Sequence, residues 1–533
     1  MLNLRLLSLL ALVTACAPAS RVTAPTPTGP MPGRPAPPTN TALPAIPLAT
    51  GPVAIDVVYP TANSEIASRD SNFIFGSIGN GNAALYINGM AAPVWPNGSF
   101  MAYLPVPSRD LSRYDLVAVL GRDSTTLSHP VRLEEMLPPV TPAVTPPVTP
   151  AATADRYGIL IGPSTVSNDT DRVITGQPSP DPNIVRYFLF PGTVVRTAGL
   201  AGGETVVELE PAVRFRVANN QIQAQPAGFT PPLLNIGRDT IVANSESVDL
   251  IVPATGPPAY YVSVAGSRLT VTLFGVTAAP RREGSRSVAD PLLKSVSVAH
   301  SPARTEYILD LARPVFAYQP LFENGNFVLK VRRPPTIDPA MPLRGLTIGL
   351  DPGHPGIQGQ APGATGPTAL KERAAVIPVA LRARELLIER GATVFMTKTE
   401  AEEAVDLNLR PTMARRANVH ALVSIHYNAL PDGVNPFLNN GTSTYSFHIH
   451  SGRLSELTQA AMIRNMHLRD LGARRANFAV VRPSWFPAIL TEGAFIMMPD
   501  QEHALKTAEY QDAYARSIVE GLEQFFREVG GSQ

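Results

Sequence analysis

Apolar and polar positions alternate in short runs through the first two thirds of the chain, and the pattern changes to helical spacing near residue 343. Val53-Ala54-Ile55-Asp56-Val57-Val58-Tyr59 and Asn72-Phe73-Ile74-Phe75-Gly76, broken by Asn-Gly and Pro-Asn-Gly turns, predict a small β-sandwich over 51–135. Ile159-Leu160-Ile161, Thr205-Val206-Val207-Glu208-Leu209, Leu269-Thr270-Val271-Thr272-Leu273 and Phe327-Val328-Leu329-Lys330-Val331 predict a second β-rich region over 156–335, whose first part is barrel-like. From 343 the texture differs. Leu346-Thr347-Ile348-Gly349-Leu350 reads as a buried strand, and Val376, Val379, Ala380, Ala383, Leu386 and Leu387 have helical spacing up to Gly391. Strands follow at Val394–Thr397 and Ala421–His426, with a helix-prone stretch over 406–418 between them, and a further segment runs from Trp485 to Leu490. Strands alternating with helices predict an α/β domain over 343–533 with a mostly parallel central sheet, whose functional residues gather beyond the strand ends.

Composition sharpens the division. The 533 residues suffice for roughly three or four domains. Prolines number 55 and charged residues only 16%, which favours extended linkers and β modules and excludes a coiled coil. Residues 16–50 are rich in Pro, Thr and Ala, and 136–155 repeat Val-Thr-Pro units. Neither can bury a core, so they predict a stalk and a stiff spacer. With 44 basic against 43 acidic residues the net charge is +1, and nothing electrostatic points to nucleic acid. Oligomeric state leaves no mark in the sequence.

Residues 1–15 carry one early Arg and an apolar run from Leu6 to Val13 that is too short to span a bilayer. Val13-Thr14-Ala15-Cys16 resembles a bacterial lipobox, which implies a signal peptide removed before Cys16 and a lipid on its thiol. A second acyl chain would make the anchoring stable. The expected location is therefore the cell envelope, as a membrane-anchored lipoprotein facing the periplasm or other extracytoplasmic space.

The one cysteine excludes an internal disulfide and a cysteine-based zinc site, so a metal would be held by His and carboxylate. His354, His426 and Glu492 each follow a predicted strand, and Glu372 sits at the start of the first helix after a Gly-rich stretch. Two histidines and a carboxylate can hold a catalytic zinc with an open position, while a second carboxylate takes a proton from water. Glu372 is equally suited to the helix macrodipole, and no His-Glu-x-x-His is present. Spacing alone leaves the metal open.

Leu350-Asp351-Pro352-Gly353-His354, Leu370-Lys371-Glu372-Arg373, Ser424-Ile425-His426-Tyr427-Asn428-Ala429 and Leu490-Thr491-Glu492-Gly493-Ala494-Phe495-Ile496 resemble, in order, the motifs of zinc-dependent N-acetylmuramoyl-L-alanine amidases. The resemblance implies Zn²⁺ on His354, Glu372 and His426, with Glu492 as the catalytic residue. It implies peptidoglycan as the substrate, cut between N-acetylmuramic acid and L-alanine. The family usually has a glycine where this chain has Pro355, which implies a reshaped rim. Pro378 implies either a first-turn position or a kink. The segment from Asn428 to Gly441 is too short for the autoinhibitory helix that some relatives insert there.

Among weaker candidates, Asn428 is suited to binding substrate or to orienting its loop, and Arg482 to a stem-peptide carboxylate through its fork of donors or to a surface salt bridge. His448 and His450 would share one face of a strand, and Trp485 and Phe486 suit packing. The stretches Tyr86-Ile87-Asn88-Gly89 and Gly98-Ser99-Phe100 resemble bacterial immunoglobulin-like modules. Tyr307–Leu311 and Val328–Arg332 resemble the AMIN modules often joined to wall amidases, which implies either wall binding or a structural spacer. Two rival readings remain at this point: a non-catalytic wall-binding lipoprotein, and a zinc peptidase acting on stem peptides.

Overall fold

The computed structural model describes residues 35–38, 40–133, 156–162, 174–176, 187–201, 203–278, 283–302, 304–356 and 363–531. Cys16, the signal segment, most of the stalk and the Val-Thr-Pro spacer lie outside these residues. Over 56–130 the chain forms antiparallel sheets of three and four strands around a core that includes Ile74, Leu85, Phe100 and Leu116. A five-stranded antiparallel sheet within 156–224 buries Leu160, Val207 and Phe215. Two further sheets, of four and five strands, share a core between Leu250 and Leu329 on one and Val271 and Leu309 on the other. Among the described residues no helix is long and apolar enough to cross a membrane.

The C-terminal domain is built on a six-stranded sheet. Its elements are β1 (Thr347–Pro352), α1 (Glu372–Glu389), β2 (Thr393–Met396), α2 (Leu409–Arg416), β3 (Ala421–Asn428), β4 (Thr442–Ser446), α3 (Ile449–Met466), β5 (Asp470–Arg475), β6 (Ala488–Phe495), α4 (Pro499–Leu505) and α5 (Ala508–Gly531). The spatial order is β2-β1-β3-β6-β4-β5. The sheet is mixed. β2, β1, β3 and β6 run parallel, as the alternation of strands and helices predicted, but β4 is antiparallel to β6 and β5 pairs parallel with β4. β1, β3 and β6 are buried on both faces, which is why they read as unbroken apolar runs.

Side-chain alternation sorts the strands between two cores. Ile348, Leu350, Ala421, Val423, Ile425 and Ile489 face α1, α3 and α5, with Val376, Leu387, Leu454, Ile518 and Phe526. Leu422, Ala488 and Leu490 face the other way, toward Ala414 of α2, Val481, Trp485 and Phe486. By the period of two, Asp351, Ser424, His426 and Glu492 belong to this second face.

Pro378 is the seventh residue of α1, not a first-turn residue. Its ring has no N–H for the carbonyl of Ala374, and both residues lie on the exposed face of the helix. His448 and His450 are not on a strand: β4 ends at Ser446, His448 caps α3 and His450 lies in its first turn.

Among the described residues, several contacts tie the upstream sheets to this domain. Asp432, in the loop after β3, accepts hydrogen bonds from Tyr59 Oη, from Asn72 Nδ2 at 2.9 Å and from the amide of Ala67 at 2.9 Å. Gly433 donates to Asn72 Oδ1 at 3.1 Å and accepts from Tyr103 Oη at 2.8 Å. Beside them Phe73, Phe75, Trp95 and Met101 pack with Phe495, Met497 and Met498, at and just beyond the end of β6. Farther along, the buried Arg332 donates to the carbonyls of Val419 at 2.7 Å and Trp485 at 2.9 Å, with its guanidinium 5.1 Å from the Trp485 ring.

Candidate metal centre

His354 lies two residues past β1 with φ at 62°, in the left-handed region that costs an L-residue roughly 1 kcal/mol or more. The buried Lys398 holds it there, donating from Nζ to the His354 carbonyl at 2.6 Å. Burial, and then the charge of Arg410, lower the Lys398 ammonium to about 8. Pro355, the residue set against the family pattern, is itself buried directly after this turn.

Glu372 is the first residue of α1 and is 2% exposed. Its Oε2 accepts from the Ala364 amide at 2.8 Å and its Oε1 from the Tyr427 amide at 3.0 Å. The same Oε1 lies 2.9 Å from His354 Nε2 and 3.1 Å from His426 Nδ1. Burial works against its charge, yet the close approach of the two imidazoles of His354 and His426 holds the carboxyl well below the usual carboxylate range. The helix start and the cluster therefore use the carboxylate at once.

His426 is placed by β3, and its Nδ1 lies 3.2 Å from His354 Nε2. One ligand atom from each of His354, Glu372 and His426 falls within 4.8 Å of the others. A tetrahedral zinc with bonds near 2.0 Å has its donors about 3.3 Å apart, and the three closest separations here approach that. Two glycines leave the room. A Cβ on Gly353 would lie 2.4 Å from the His426 ring, and one on Gly363 would lie 2.8 Å from the His354 ring and 2.9 Å from Glu372. The donor set, two imidazoles and a carboxylate, suits zinc.

Glu492 stands opposite His426 in the β3–β6 register. Its Oε2 is buried and meets no hydrogen-bond partner among the described residues. Burial, and then the negative charge of Glu372, push its carboxyl well above the usual carboxylate range.

The weaker candidates fall elsewhere in their bonding. Asn428 Oδ1 accepts from the next amide, Ala429, at 2.8 Å. Arg482 donates from Nε to Asn477 Oδ1 at 2.7 Å. His448 Nε2 lies 2.6 Å from the Arg482 carbonyl, and its ring stacks on His450 with centroids 5.2 Å apart. Trp485 and Phe486 are core residues of the second face. Asp351, Arg410 and Ser424 carry a buried network behind His426 to which sequence reading gave no role. The sequence held only part of the signal, the two-residue interval that puts Ser424 and His426 on one strand face, while the pairing of Asp351 with Ser424 came from the structure.

The family model for N-acetylmuramoyl-L-alanine amidase matches residues 348–524. The sporulation-specific N-acetylmuramoyl-L-alanine amidase of Bacillus subtilis is 34% identical over 188 residues, 34% of this chain and 68% of that protein. The probable cell wall amidase LytH of Staphylococcus saprophyticus is 33% identical over 189 residues, 36% of this chain and 61% of that protein. Among solved structures, the amidase AmiC2 of Nostoc punctiforme is 30% identical, with 34% of this chain and 96% of that one covered at a TM-score of 0.31.

Proposed function

The chain belongs to the N-acetylmuramoyl-L-alanine amidase family, and on that premise we propose how its residues carry the reaction. Region 343–533 is a peptidoglycan amidase that hydrolyses the amide between N-acetylmuramic acid and the L-alanine of the stem peptide. His354, Glu372 and His426 hold a zinc ion. The observation that carries this is the convergence of their three donor atoms beside the unpartnered Oε2 of Glu492. Zinc bound there supplies Lewis acidity toward the amide carbonyl and makes water easier to deprotonate.

The other tasks belong to the chain. Glu492 accepts the proton of the attacking water on its carboxylate and returns it to the departing alanine nitrogen, so no covalent intermediate with the enzyme is required. Its environment, buried and close to Glu372, makes it proton-hungry, and a cation on Glu372 offsets the second of those influences. Glu372 would hold the ion together with both imidazoles, and the amides of Ala364 and Tyr427 fix its carboxylate in place.

The protein acts in the cell envelope. Lipidation at Cys16 would tether it to a membrane, the stalk and spacer would set its reach, and the β modules over 51–135 and 156–335 would hold it to the wall. Asn428 and Arg482 are proposed substrate contacts. The test is to incubate the full chain with intact peptidoglycan, with zinc or with chelator, and weigh the soluble products. Zinc-dependent release of stem peptides with a free N-terminal alanine supports the reading, and cuts within the stem peptide would make the domain a peptidase. Cys16→Ser should move the protein out of the membrane fraction; retention there would count against the anchor.

A further inference from the structure

We propose that Ser424 and Asp351 are positioning residues that fix which nitrogen of His426 carries the proton, and so present a bare Nδ1 to the cation. The proposal rests on the reading of His354, Glu372 and His426 as ligands.

The two nitrogens of His426 meet different surroundings. Nδ1 faces His354 Nε2 at 3.2 Å and Glu372 Oε1 at 3.1 Å, whereas Nε2 lies 3.1 Å from Ser424 Oγ. A neutral imidazole has one proton, and a ligating nitrogen must be without it. The proton then belongs on Nε2, where Ser424 Oγ receives it. Having accepted there, the hydroxyl gives its own proton to Asp351 Oδ2, 2.7 Å away.

Asp351 closes the sequence because it can only accept. Its Oδ1 takes hydrogen bonds from Thr397 Oγ1 at 2.5 Å and from the Arg410 guanidinium at 2.9 Å. Side-chain exposure is 0% for Asp351 and 1% for Arg410. Paired with a guanidinium that holds only donors, and with hydrogen bonds arriving at both oxygens, the carboxylate serves here as an acceptor. Every direction in the chain is thereby set: Arg410 and Thr397 into Asp351, Ser424 into Asp351, His426 into Ser424. The reverse arrangement would aim Ser424 at Nε2, put the ring proton among the other ligands and take the Ser424 donor away from a buried charge.

Packing cannot make this choice. The ring is wedged over Gly353, where even a Cβ would collide with it, and that contact fixes the ring plane whichever nitrogen is protonated. The register supports the arrangement, since Asp351 stands opposite Ser424 in the β1–β3 ladder and Ser424 lies two residues before His426 on the same face.

The test uses the full chain and zinc alone as probe. Competition against a fluorescent chelator gives the zinc affinity of the wild type, S424A and H426A. The expected result is a 10- to 100-fold loss in S424A, the range for removing a partner behind a ligand, and a larger loss in H426A. Independently, ¹⁵N-histidine labelling of the zinc-loaded wild type should show a slowly exchanging proton on His426 Nε2. This second measurement needs no variant to fold. Equal affinity in S424A and wild type, or a His426 proton on Nδ1, would overturn the proposal while leaving the ligands standing. A wild-type chain that takes up no zinc would instead remove the ligand reading itself.

Discussion

Replacing Asp432 with alanine should loosen the contact between the 51–135 sheets and the amidase domain by an amount that the hydrogen bonds allow to be estimated. Three donors converge on this carboxylate, and they differ in what they lose. Ala67 is exposed, so its amide returns to water at little cost. Asn72 is 0% exposed, and leaving its amide donor unmatched costs about 1–3 kcal/mol. Tyr59 is partly buried, and its lost charge-assisted bond adds about 1–2 kcal/mol. The sum is about 3 kcal/mol for Asp432→Ala. Asp432→Asn keeps an oxygen for Tyr59 and Asn72 and turns its new donor toward the exposed Ala67, so it should lose only about 1 kcal/mol.

The assay is urea unfolding of the full chain, with Trp485→Phe introduced so that fluorescence reports Trp95, which lies in the apolar contact beside Asp432. With a slope of roughly 1–3 kcal/mol per molar urea, the alanine variant should melt about 1–3 M earlier than its parent, and the asparagine variant less than 1 M earlier. Amide hydrogen exchange over 429–440 should rise in the same order. Coincident melting and exchange in parent and alanine variant would refute the reasoning. It would mean that Phe73, Phe75, Trp95 and Met101 hold the contact by burial alone.

Glu492→Gln should retain zinc and lose activity by about 10²- to 10⁴-fold, the contribution expected of a general base; measured turnover near the wild-type rate would remove that role. His426→Ala should lose both zinc, read by chelator competition, and activity, and added zinc should not restore turnover at concentrations that saturate the wild type. Acid should weaken the fold through His448, whose ring burial lowers to about 4 from an ordinary value near 6.5. Its folded pKa lies below the unfolded one, so the stabilisation is complete above about pH 6.5 and drains away as pH falls toward 4, by about 3 kcal/mol. His448→Gln should flatten that part of the stability curve, and an unchanged slope would show that other groups set it.

His354 and His426 were legible as candidate ligands because each follows an apolar run whose pattern is local. β1 and β3 announce themselves as apolar stretches, and His354 and His426 stand at their ends. Glu372 could not be resolved from spacing, since a helix start and a metal favour the same carboxylate, and the structure has it serving both surroundings. His448 and His450 misled because a two-residue interval fits a strand, whereas the backbone turns into α3 directly after Ser446. β4 reversed direction without any sign in its own residues, since parallel and antiparallel neighbours ask the same of a buried strand. Ser424 and Asp351 were in plain view as motif letters, but their pairing depends on which strands are adjacent. Arg332 and Asp432 were illegible for a simpler reason: their partners lie 86 or more positions away in sequence, as from Arg332 to Asn418.

Arg332 also decides how tension travels through the molecule. The covalent path from the β-rich region into β1 runs through residues 333–346, and in a chain joined by that path alone a pull from the N-terminal side would arrive at β1 first. The guanidinium of Arg332 already grips the carbonyls of Val419 and Trp485, and the amide of Tyr318 donates to the Ser484 carbonyl at 2.9 Å. A load is therefore shared between the ends that feed β3 and β6, the strands carrying His426 and Glu492, and the connector itself, which is seated in the first core by Ile337 and Leu343. A pull on the last β module thus reaches three strands of the sheet at once instead of β1 alone.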